Sequence, residues 1–286
     1  MNIEVERLAG LEDWRACERL ESEVRGEHPA RSVCNAPTLQ AVDVSGGLIL
    51  GAWETSTPEH VLAGALVDLA GTHEGFSGLF TLFLGTSPRW RNAGVATALR
   101  RGERAAAGDR GVEVIQWWID PLRGNETHLA LNKLGAVGSR YERNVFGELH
   151  DRLNVGLATD RVRVEWWVRA PRTAAVVDEG RLAAHYQLGL HQMTVLTKTT
   201  VGSSGQRVLL DIDRSATGPH LLVEVPVHLD PLREAAPDEA RRWRLAMRDV
   251  FERLFAEGYL LVGLVHEAGR SFQLFEAADL GTVLGR

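Results

Sequence analysis

Residues 80–100 are the part of the sequence that most constrains the fold, because they change from a strand pattern to a helix pattern within a few positions. A short apolar run comes first, and an amphipathic helix pattern follows it. Between them lies the turn 91–96, which has the form Arg-x-x-Gly-x-Ala. Gly94 lacks a Cβ, so the main chain can approach a bulky anion there, and amides at a helix start favour negative charge. The turn is therefore a candidate diphosphate site, with ordinary turn chemistry as the alternative.

Length and composition indicate a globular protein. The chain has 286 residues, of which 44% are hydrophobic, and a formal net charge of −6. This composition supplies a core, and the negative charge argues against a general nucleic-acid-binding protein. The two cysteines and ten histidines show no metal-ligand spacing, so we expect no metal site. No leader sequence or membrane-spanning apolar run is evident, so we expect a cytoplasmic protein with no membrane partner.

The periodicity of residues 1–150 predicts the order strand, helix, hairpin, strand, helix, strand, helix, strand. The predicted strands are 3–7, 48–53, 61–69, 79–84, 112–119 and 137–149. The predicted helices are 10–25, 92–107 and 125–134, and the glycine-rich segment 71–78 is expected to be mobile. Because strand–helix–strand crossovers place strands parallel, we predict an α/β (α+β) fold with a mixed central sheet flanked by helices. Ligands in such sheets bind near helix N-termini where strands diverge.

The second half of the chain predicts a smaller α/β extension. Strands are predicted at 163–168, 208–212 and 221–227, with a hairpin at 259–275 and a possible helix at 179–188. A helix over 237–258 carries a clean apolar stripe. We place the domain boundary in a polar connector, which gives domains 1–155 and 156–286. Two Trp-Trp pairs, at 117–118 and 166–167, should alternate between core and surface, which favours a homodimer.

Several motifs resemble a known family. The turn Arg91-x-x-Gly94-x-Ala96, the strand 114–119, Asn125 and Lys133-Leu-Gly135 resemble the acyl-CoA-binding core of the GNAT acyltransferases over about residues 1–150. A second set of motifs resembles a bacterial GNAT subfamily of predicted acetyltransferases with a C-terminal extension. That set comprises Asp120-Pro-Leu, Asn132-Lys-Leu-Gly-Ala136, Tyr141 with Asn144, Asp151-x-Leu-Asn-x-Gly156, Thr159-Asp-Arg161, Val223-Glu-Val-Pro226 and the helix 240–255.

This resemblance implies a GNAT fold and a site for acetyl-CoA or another acyl-CoA. The implied cofactor-binding residues are Leu82, Phe83, Leu84, Arg89, Arg91, Asn92, Ala93, Gly94, Val95, Ala96 and Asn125. Amides of the turn would hold the diphosphate, and the strand 82–85 would pair with the pantetheine arm. An amide near Leu84 would stabilise the oxyanion that develops on the thioester.

The catalytic residues are less clearly indicated, because Leu131 stands where the family usually has a general-acid tyrosine. Tyr141 is the replacement candidate, and a tyrosine at the edge of the core is the alternative. Asp120 follows a central strand and is a candidate to bind or deprotonate the amine, or else it caps the turn before the next proline. His128 and Asn144 are candidate acceptor-binding residues; the alternatives are a surface histidine and a contact within the connector.

The predicted reaction is transfer of an acetyl or succinyl group from acyl-CoA to a primary amine of a small molecule. An amino acid is the narrower candidate for the acceptor. One alternative is a non-catalytic acyl-CoA-binding or regulatory module, which the missing tyrosine favours. Acetylation of protein lysine is a third reading, which the acidic composition neither supports nor excludes. We predict the GNAT-type N-acyltransferase, with no metal.

Overall fold

A computed structural model describes residues 2–26, 32–56, 58–181, 193–202 and 205–286 of the chain, so most of the helix considered at 179–188 lies outside the described residues. The chain forms two compact units: Met1–Trp117 with Asp151–Leu153, and Trp118–His150 with Asn154–Arg286. Each unit combines helices with a sheet of mixed strand direction, which confirms the predicted fold class. The predicted boundary after residue 155 differs from this division, since residues 118–150 group with the second unit.

The first unit is built on a sheet whose strands follow one another in chain order. Its strands are β1 (Ile3–Arg7), β2 (Leu48–Glu54), β3 (Val61–His73), β4 (Phe76–Thr86) and β5 (Val114–Ile119). Strands β1 to β4 are antiparallel neighbours, whereas β5 runs parallel to β4. The helices of this unit are α1 (Leu11–Arg25), α2 (Ala36–Val44) and α3 (Val95–Asp109).

Helices cover both faces of this sheet. Ile49, Val67 and Phe83 pack on one face in a buried cluster with residues of α1 and α2, such as Leu20 and Leu39. Helix α3 lies against the other face, where Gly64 of β3 allows a close approach. A Cβ at Gly64 would lie 2.6 Å from Val95 Cγ1 and 3.2 Å from Leu99 Cδ1. The missing side chain therefore lets the first turns of α3 pack directly on β3.

The second unit contains a further set of strands of mixed direction. Its strands are β6 (Val137–Glu142), β7 (Arg161–Trp167), β8 (Thr194–Val195), β11 (His220–Val225), β12 (Leu260–Glu267) and β13 (Arg270–Glu276), in the order β7-β6-β12-β13-β11-β8. Only β8 and β11 are parallel among the pairs described in this unit. Strands β9 (Thr197–Val201) and β10 (Arg207–Ile212) form a separate antiparallel pair. The helices are α4 (Gly124–Thr127), α5 (Pro171–Val177), α6 (Leu229–Ala235), α7 (Pro237–Ala256) and α8 (Leu280–Leu284).

Helix α7 supplies much of the core of the second unit. Its predicted apolar stripe is buried at Trp243, Met247, Val250, Phe251 and Leu254. The ring of Phe251 lies 5.6 Å from the ring of Tyr141 on β6, measured between centroids. The 3.6-residue period of the sequence therefore identified the packed face of this helix.

Segment 71–78 forms the tip of a β-hairpin and not an irregular loop, whereas its expected mobility stays a prediction. Strands β3 and β4 remain paired from Gly71↔Gly78 to His73↔Phe76. The two turn residues, Glu74 and Gly75, have φ angles of +49° and +87°. Two consecutive residues with positive φ match the twist of a tight hairpin, which the polar composition of this segment concealed.

The tryptophan alternation predicted for residues 166–167 is wrong. Trp166 and Trp167 are both buried, at 0% and 4% exposure. The guanidinium carbon of Arg286 lies 4.7 Å from the Trp167 ring centroid, so the end of the chain covers this residue. At the other pair, Trp117 is buried and Trp118 is half-buried, so the alternation holds there in part. The homodimer stays a prediction.

No helix in the described parts of the chain is both long enough and apolar enough to cross a lipid bilayer.

Candidate functional site

The connection from β4 to α3 is a short, well-bonded turn. The N–H of Ser87 donates to the Ala63 carbonyl at 2.9 Å, which ties the end of β4 to β3. A single 3₁₀ turn, Pro88–Trp90, follows. The N–H of Ala93 then donates to the Trp90 carbonyl at 3.3 Å. These bonds fix where α3 begins relative to the sheet of the first unit.

The start of α3 presents a row of open main-chain donors. Asn92 and Gly94 have φ angles of +62° and +84°, which turn the chain sharply into the helix. The first main-chain bond of α3 runs from the Ala98 N–H to the Gly94 carbonyl, at 2.9 Å. The N–H groups of Asn92, Gly94, Val95, Ala96 and Thr97 donate no hydrogen bond to an acceptor in the described parts of the chain. They lie at the positive end of a helix of 15 residues.

The surroundings of these donors suit an anion. Arg89 and Arg91 are exposed beside the turn, and the Arg89 guanidinium carbon lies 4.7 Å from the Trp90 ring centroid. A Cβ placed on Gly94 would meet no atom within 4 Å, so the turn faces open space. Outward-facing amides, a helix dipole and nearby cations are the features that bind phosphate groups. The residues present therefore fit a diphosphate held by the main chain.

Strands β4 and β5 part in the middle of β4. Their parallel pairing runs only from Gly78↔Val114 to Phe80↔Gln116, although β4 continues to Thr86. Just beyond this point, Leu82 is left out of the β3–β4 register and forms a bulge. After Phe80, β4 therefore has no β5 partner, and an extended chain that carries amide groups can pair with such an edge as an added strand.

The predicted cofactor-binding residues divide between the two units. Leu82, Phe83 and Leu84 lie on the diverging part of β4, and the predicted residues from 89 to 96 lie in the turn and first helical turn that follow. The first unit therefore brings these ten positions into one continuous segment. Asn125 belongs to the second unit, where it is exposed in α4 and its carbonyl accepts the His128 N–H.

Asp120 lies at the centre of a buried arginine cluster in the second unit. Its Oδ2 accepts a hydrogen bond from Arg244 Nη2 at 2.6 Å and lies 3.6 Å from Arg161 Nη1 and 3.9 Å from Arg123 Nε. Its Oδ1 accepts the Leu122 N–H at 2.9 Å, which is the turn cap considered as the alternative. Burial opposes its charge, but the three guanidinium groups hold the pKa of Asp120 well below its usual range. A carboxylate this strongly stabilised is a poor proton acceptor, so the geometry does not favour Asp120 as a base.

Tyr141 is hydrogen-bonded inside a second cluster of the same unit. Its hydroxyl donates to Asp160 Oδ2 at 2.6 Å, and Asp160 also accepts from Arg248 and from the Asn144 N–H, each at 2.9 Å. Burial and then this hydrogen bond raise the pKa of Tyr141 above its ordinary value. The side-chain oxygen of Asn144 accepts from the N–H and hydroxyl of Thr159, at 3.2 Å each. These residues lock the connector, and the proton of Tyr141 is directed at a carboxylate.

His128 begins a short π-helical segment, His128–Lys133, that continues α4. It is half-buried, and burial followed by the charges of Lys133 and His266 lowers its pKa. Its ring centroid lies 6.4 Å from that of His266. Leu131, at the position of the family tyrosine, is 1% exposed. A role for His128 in acceptor binding stays a prediction.

Several buried charged residues were not predicted from the sequence. They are Arg100 and Glu103 on α3, Asp68 on β3, and Arg123, Arg161 and Arg244 in the second unit. One signal was present: Arg244 falls between Trp243 and Met247, within the apolar stripe of α7. A charged residue on a packed helix face requires a buried partner, but the sequence does not say which residue supplies it.

The described residues contain no group of three or more His, Cys, Asp or Glu side chains placed to hold a metal ion. Comparison with known proteins gave structural similarity alone. No protein-family model matches the sequence, and no curated protein matches it at the level of sequence.

Similar solved structures include an acetyltransferase assigned to the GNAT family from Desulfovibrio desulfuricans, with 14% identity and a TM-score of 0.46 over 58% of this chain and 99% of that one. An N-acetyltransferase from Staphylococcus aureus has 12% identity and a TM-score of 0.44, over 59% of this chain and 100% of that one. The PaiA N-acetyltransferase from Thermoplasma acidophilum, solved with coenzyme A, has 15% identity and a TM-score of 0.42, over 58% of this chain and 98% of that one.

Proposed function

We propose that this protein is a GNAT-type N-acyltransferase that moves an acetyl or succinyl group from acyl-CoA to a primary amine of a small molecule. The observation that carries the proposal is the row of open amides at the start of α3, placed directly after the strand that parts from its neighbour. The amides would hold the CoA diphosphate, and the free edge of β4 after Phe80 would pair with the amide-containing pantetheine arm.

In the proposed reaction the neutral amine attacks the thioester carbonyl. A C–N bond forms, the C–S bond breaks, the sulfur leaves as a thiolate and the amine loses one proton to solvent. A main-chain N–H near Leu84 would stabilise the oxyanion, a contribution of roughly 3 kcal/mol in characterised oxyanion holes. Holding the two reactants together can supply roughly 7–11 kcal/mol more.

This scheme needs no side-chain acid. A thiol has a pKa of about 8.5, so a thiolate is an adequate leaving group at neutral pH. We therefore propose a mechanism without proton donation from Tyr141, whose hydroxyl is bonded to Asp160. Leu131 at the usual tyrosine position is compatible with the same scheme.

The candidate base Asp120 is held as an anion by three guanidinium groups, which favours an acceptor amine of low pKa. At pH 7.5 about a third of a peptide N-terminal amino group is neutral, whereas only about 0.1% of a lysine side chain is neutral. The α-amino group of an amino acid lies between these two cases, so it needs a weaker base than a lysine side chain does. This is the reason for preferring a small amine over protein lysine.

The competing proposal is a non-catalytic acyl-CoA-binding or regulatory module. Buried Leu131 and the bonded hydroxyl of Tyr141 favour it. Release of thiol from acetyl-CoA and succinyl-CoA, measured with a panel of amines, separates the two proposals. Turnover with an amine supports the enzyme, and CoA binding without turnover for any amine supports the module.

CoA binding itself is tested by isothermal titration calorimetry with Gly94→Val and Gly111→Val. Both glycines have positive φ, of +84° and +70°, and both face open space at opposite ends of α3, so the two substitutions impose similar backbone strain. We expect Gly94→Val to abolish CoA binding and Gly111→Val to retain it. Equal affinity in both variants would show that the turn is not the binding site.

A further inference from the structure

A buried cation lies where β4 and β5 stop pairing. The last paired residues are Phe80 and Gln116, and the next residue of each strand is Thr81 and Trp117. Arg100 of α3 reaches both of these residues. Its Nη1 donates to Thr81 Oγ1 at 2.9 Å, and its guanidinium carbon lies 3.8 Å from the Trp117 ring centroid. Arg100 therefore joins the two strands at the first position beyond their ladder.

The guanidinium is held in place by its own helix. Glu103 lies one turn further along α3, and both of its carboxylate oxygens accept from Arg100 Nη1 at 2.9 Å. Glu103 Oε1 also accepts from the Thr81 hydroxyl at 3.4 Å. Arg100 and Glu103 are 1% and 0% exposed, so this ion pair is buried. A charge-assisted hydrogen bond of this kind fixes orientation more firmly than a neutral one.

Asp68 completes the cluster from the other side of β4. It pairs in register with Thr81, is 0% exposed, and has no hydrogen-bond partner for either carboxyl oxygen among the described residues. Two carboxyl groups therefore share the field of one guanidinium. Burial, followed by the charge of Glu103, raises the pKa of Asp68 well above its usual value. When the Asp68 carboxyl group is protonated, the charges of Arg100 and Glu103 balance.

This cluster is expensive to bury, and apolar residues of similar volume often serve stability as well as an ion pair does. Its position offers another role. Thr81 and Trp117 lie in the same row across the sheet as Asp68, on the face that α3 covers. The bulge at Leu82 follows directly. A planar group fixed between the two side chains sets their spacing at the point of divergence.

We propose that Arg100 is a positioning residue that sets where β4 parts from β5, and that it thereby shapes the cleft for the acyl-CoA arm. The second half of this inference rests on the proposed function. Arg100 does not touch the reacting atoms; it acts through Thr81 and Trp117. Removing the guanidinium takes away the contact that these two residues share, so the diverging residues of β4 lose their fixed spacing.

The test compares Arg100→Met with Arg101→Met, a matched control that removes the same charge from an exposed position on the same helix. Calorimetry measures CoA affinity, steady-state kinetics measure kcat and KM for acyl-CoA, and hydrogen exchange follows the amides of residues 78–86. We expect Arg100→Met to weaken CoA binding and raise KM by at least about tenfold, with a smaller change in kcat, because misplacement of a bound group by 1 Å can cost about 100-fold. Amides after Phe80 should exchange faster, and Arg101→Met should match the wild type.

Arg100→Lys keeps the charge and one donor to Glu103, so it should recover part of the CoA affinity. If Arg100→Met fails to fold, the double variant Arg100→Met/Glu103→Gln replaces it, since that variant leaves no unpaired buried charge. If Arg100→Met has the same hydrogen-exchange rates and the same CoA affinity as Arg101→Met, the proposed role of Arg100 is wrong. A wild-type protein that binds no CoA would refute the proposed function, whereas the exchange comparison would still decide whether Arg100 sets the divergence.

Discussion

Neighbouring residues shift the pKa values of three buried aspartates in opposite directions. Asp68 has no hydrogen-bond partner among the described residues and a pKa well above its usual range. Asp120 and Asp160 accept hydrogen bonds from arginines. Burial alone would raise the pKa of each carboxyl group, but the arginines outweigh that effect and lower it. The surroundings therefore favour the neutral form of this residue type in the first unit and its ionised form in the second.

The raised pKa of Asp68 predicts that Asp68→Asn is tolerated at neutral pH. An unfolded aspartate has a pKa of about 3.9, below that of Asp68 in the folded protein, so unfolding releases a proton above about pH 4. The contribution of Asp68 to stability is full below that pH and is lost as pH rises through its folded pKa. The unfolding free energy of the wild type should thus fall relative to that of the variant from pH 4 upward, as measured by urea denaturation. If the difference in unfolding free energy between the wild type and Asp68→Asn does not change with pH, the pKa of Asp68 is not raised in the folded protein.

The ionised state of Asp120 predicts a large effect of Asp120→Asn. Arg244 is 2% exposed and would keep its charge without a carboxylate beside it. We expect a loss of about 3–5 kcal/mol in the free energy of unfolding, as for other broken buried pairs. Asp238→Asn is the control, because Asp238 pairs with Arg241 on the surface and is 95% exposed. That change should cost under about 1 kcal/mol, and equal losses in the two variants would show that the Asp120 cluster is not strongly coupled.

At the scale of elements, the position of α3 depends on a glycine in the strand beneath it. A Cβ at Gly64 would lie 2.6 Å from Val95 and 2.9 Å from the Gly85 carbonyl. Gly64→Ala should therefore displace the start of α3, lower stability by about 1–3 kcal/mol as overpacking does, and weaken CoA binding. Thermal unfolding and calorimetry measure the two effects.

Gly108→Ala is the control for this change. Gly108 lies in the last turns of the same helix, and a Cβ there would meet nothing within 4 Å. Alanine at this position should raise stability by up to about 1 kcal/mol through helix propensity, and CoA affinity should not change. If Gly64→Ala left both stability and affinity unchanged, the seating of α3 on β3 would be less tight than its geometry indicates.

Local pattern was sufficient to predict most elements. The stripe of α7, the strand–turn–helix of residues 80–100 and the hairpin of β12 and β13 were all identifiable, because each depends on neighbours close in sequence. The buried ion pairs were not. Arg244 and Asp120 are 124 residues apart, and no local rule connects them. The turn at Gly94 was therefore identified as a candidate anion site, whereas the cluster around Arg100 required the three-dimensional arrangement of α3, β4 and β5.

For the whole molecule, the two units should respond differently to acid. Asp120 and Asp160 have lowered pKa values, so their contribution to the second unit is present above about pH 4 and is lost as pH falls through their folded pKa values. Asp68, whose pKa is raised, makes its largest contribution to the stability of the first unit in the same acidic range. Pepsin at about pH 3 should therefore cut the second unit first, and mass spectrometry of the early fragments identifies the sites. Early cleavage within residues 61–109 would contradict this order.

The open amides before α3 also affect how many substitutions this turn can tolerate during evolution. Every amino acid except proline has a main-chain N–H donor. Binding of a diphosphate would therefore tolerate substitution of nearly every side chain between Asn92 and Thr97. The positive φ of Gly94 is the exception, since a side chain there is strained whatever its chemistry. Distantly related proteins could thus keep this diphosphate site with almost no sequence identity, and a single shared glycine would be the only residue that indicates it.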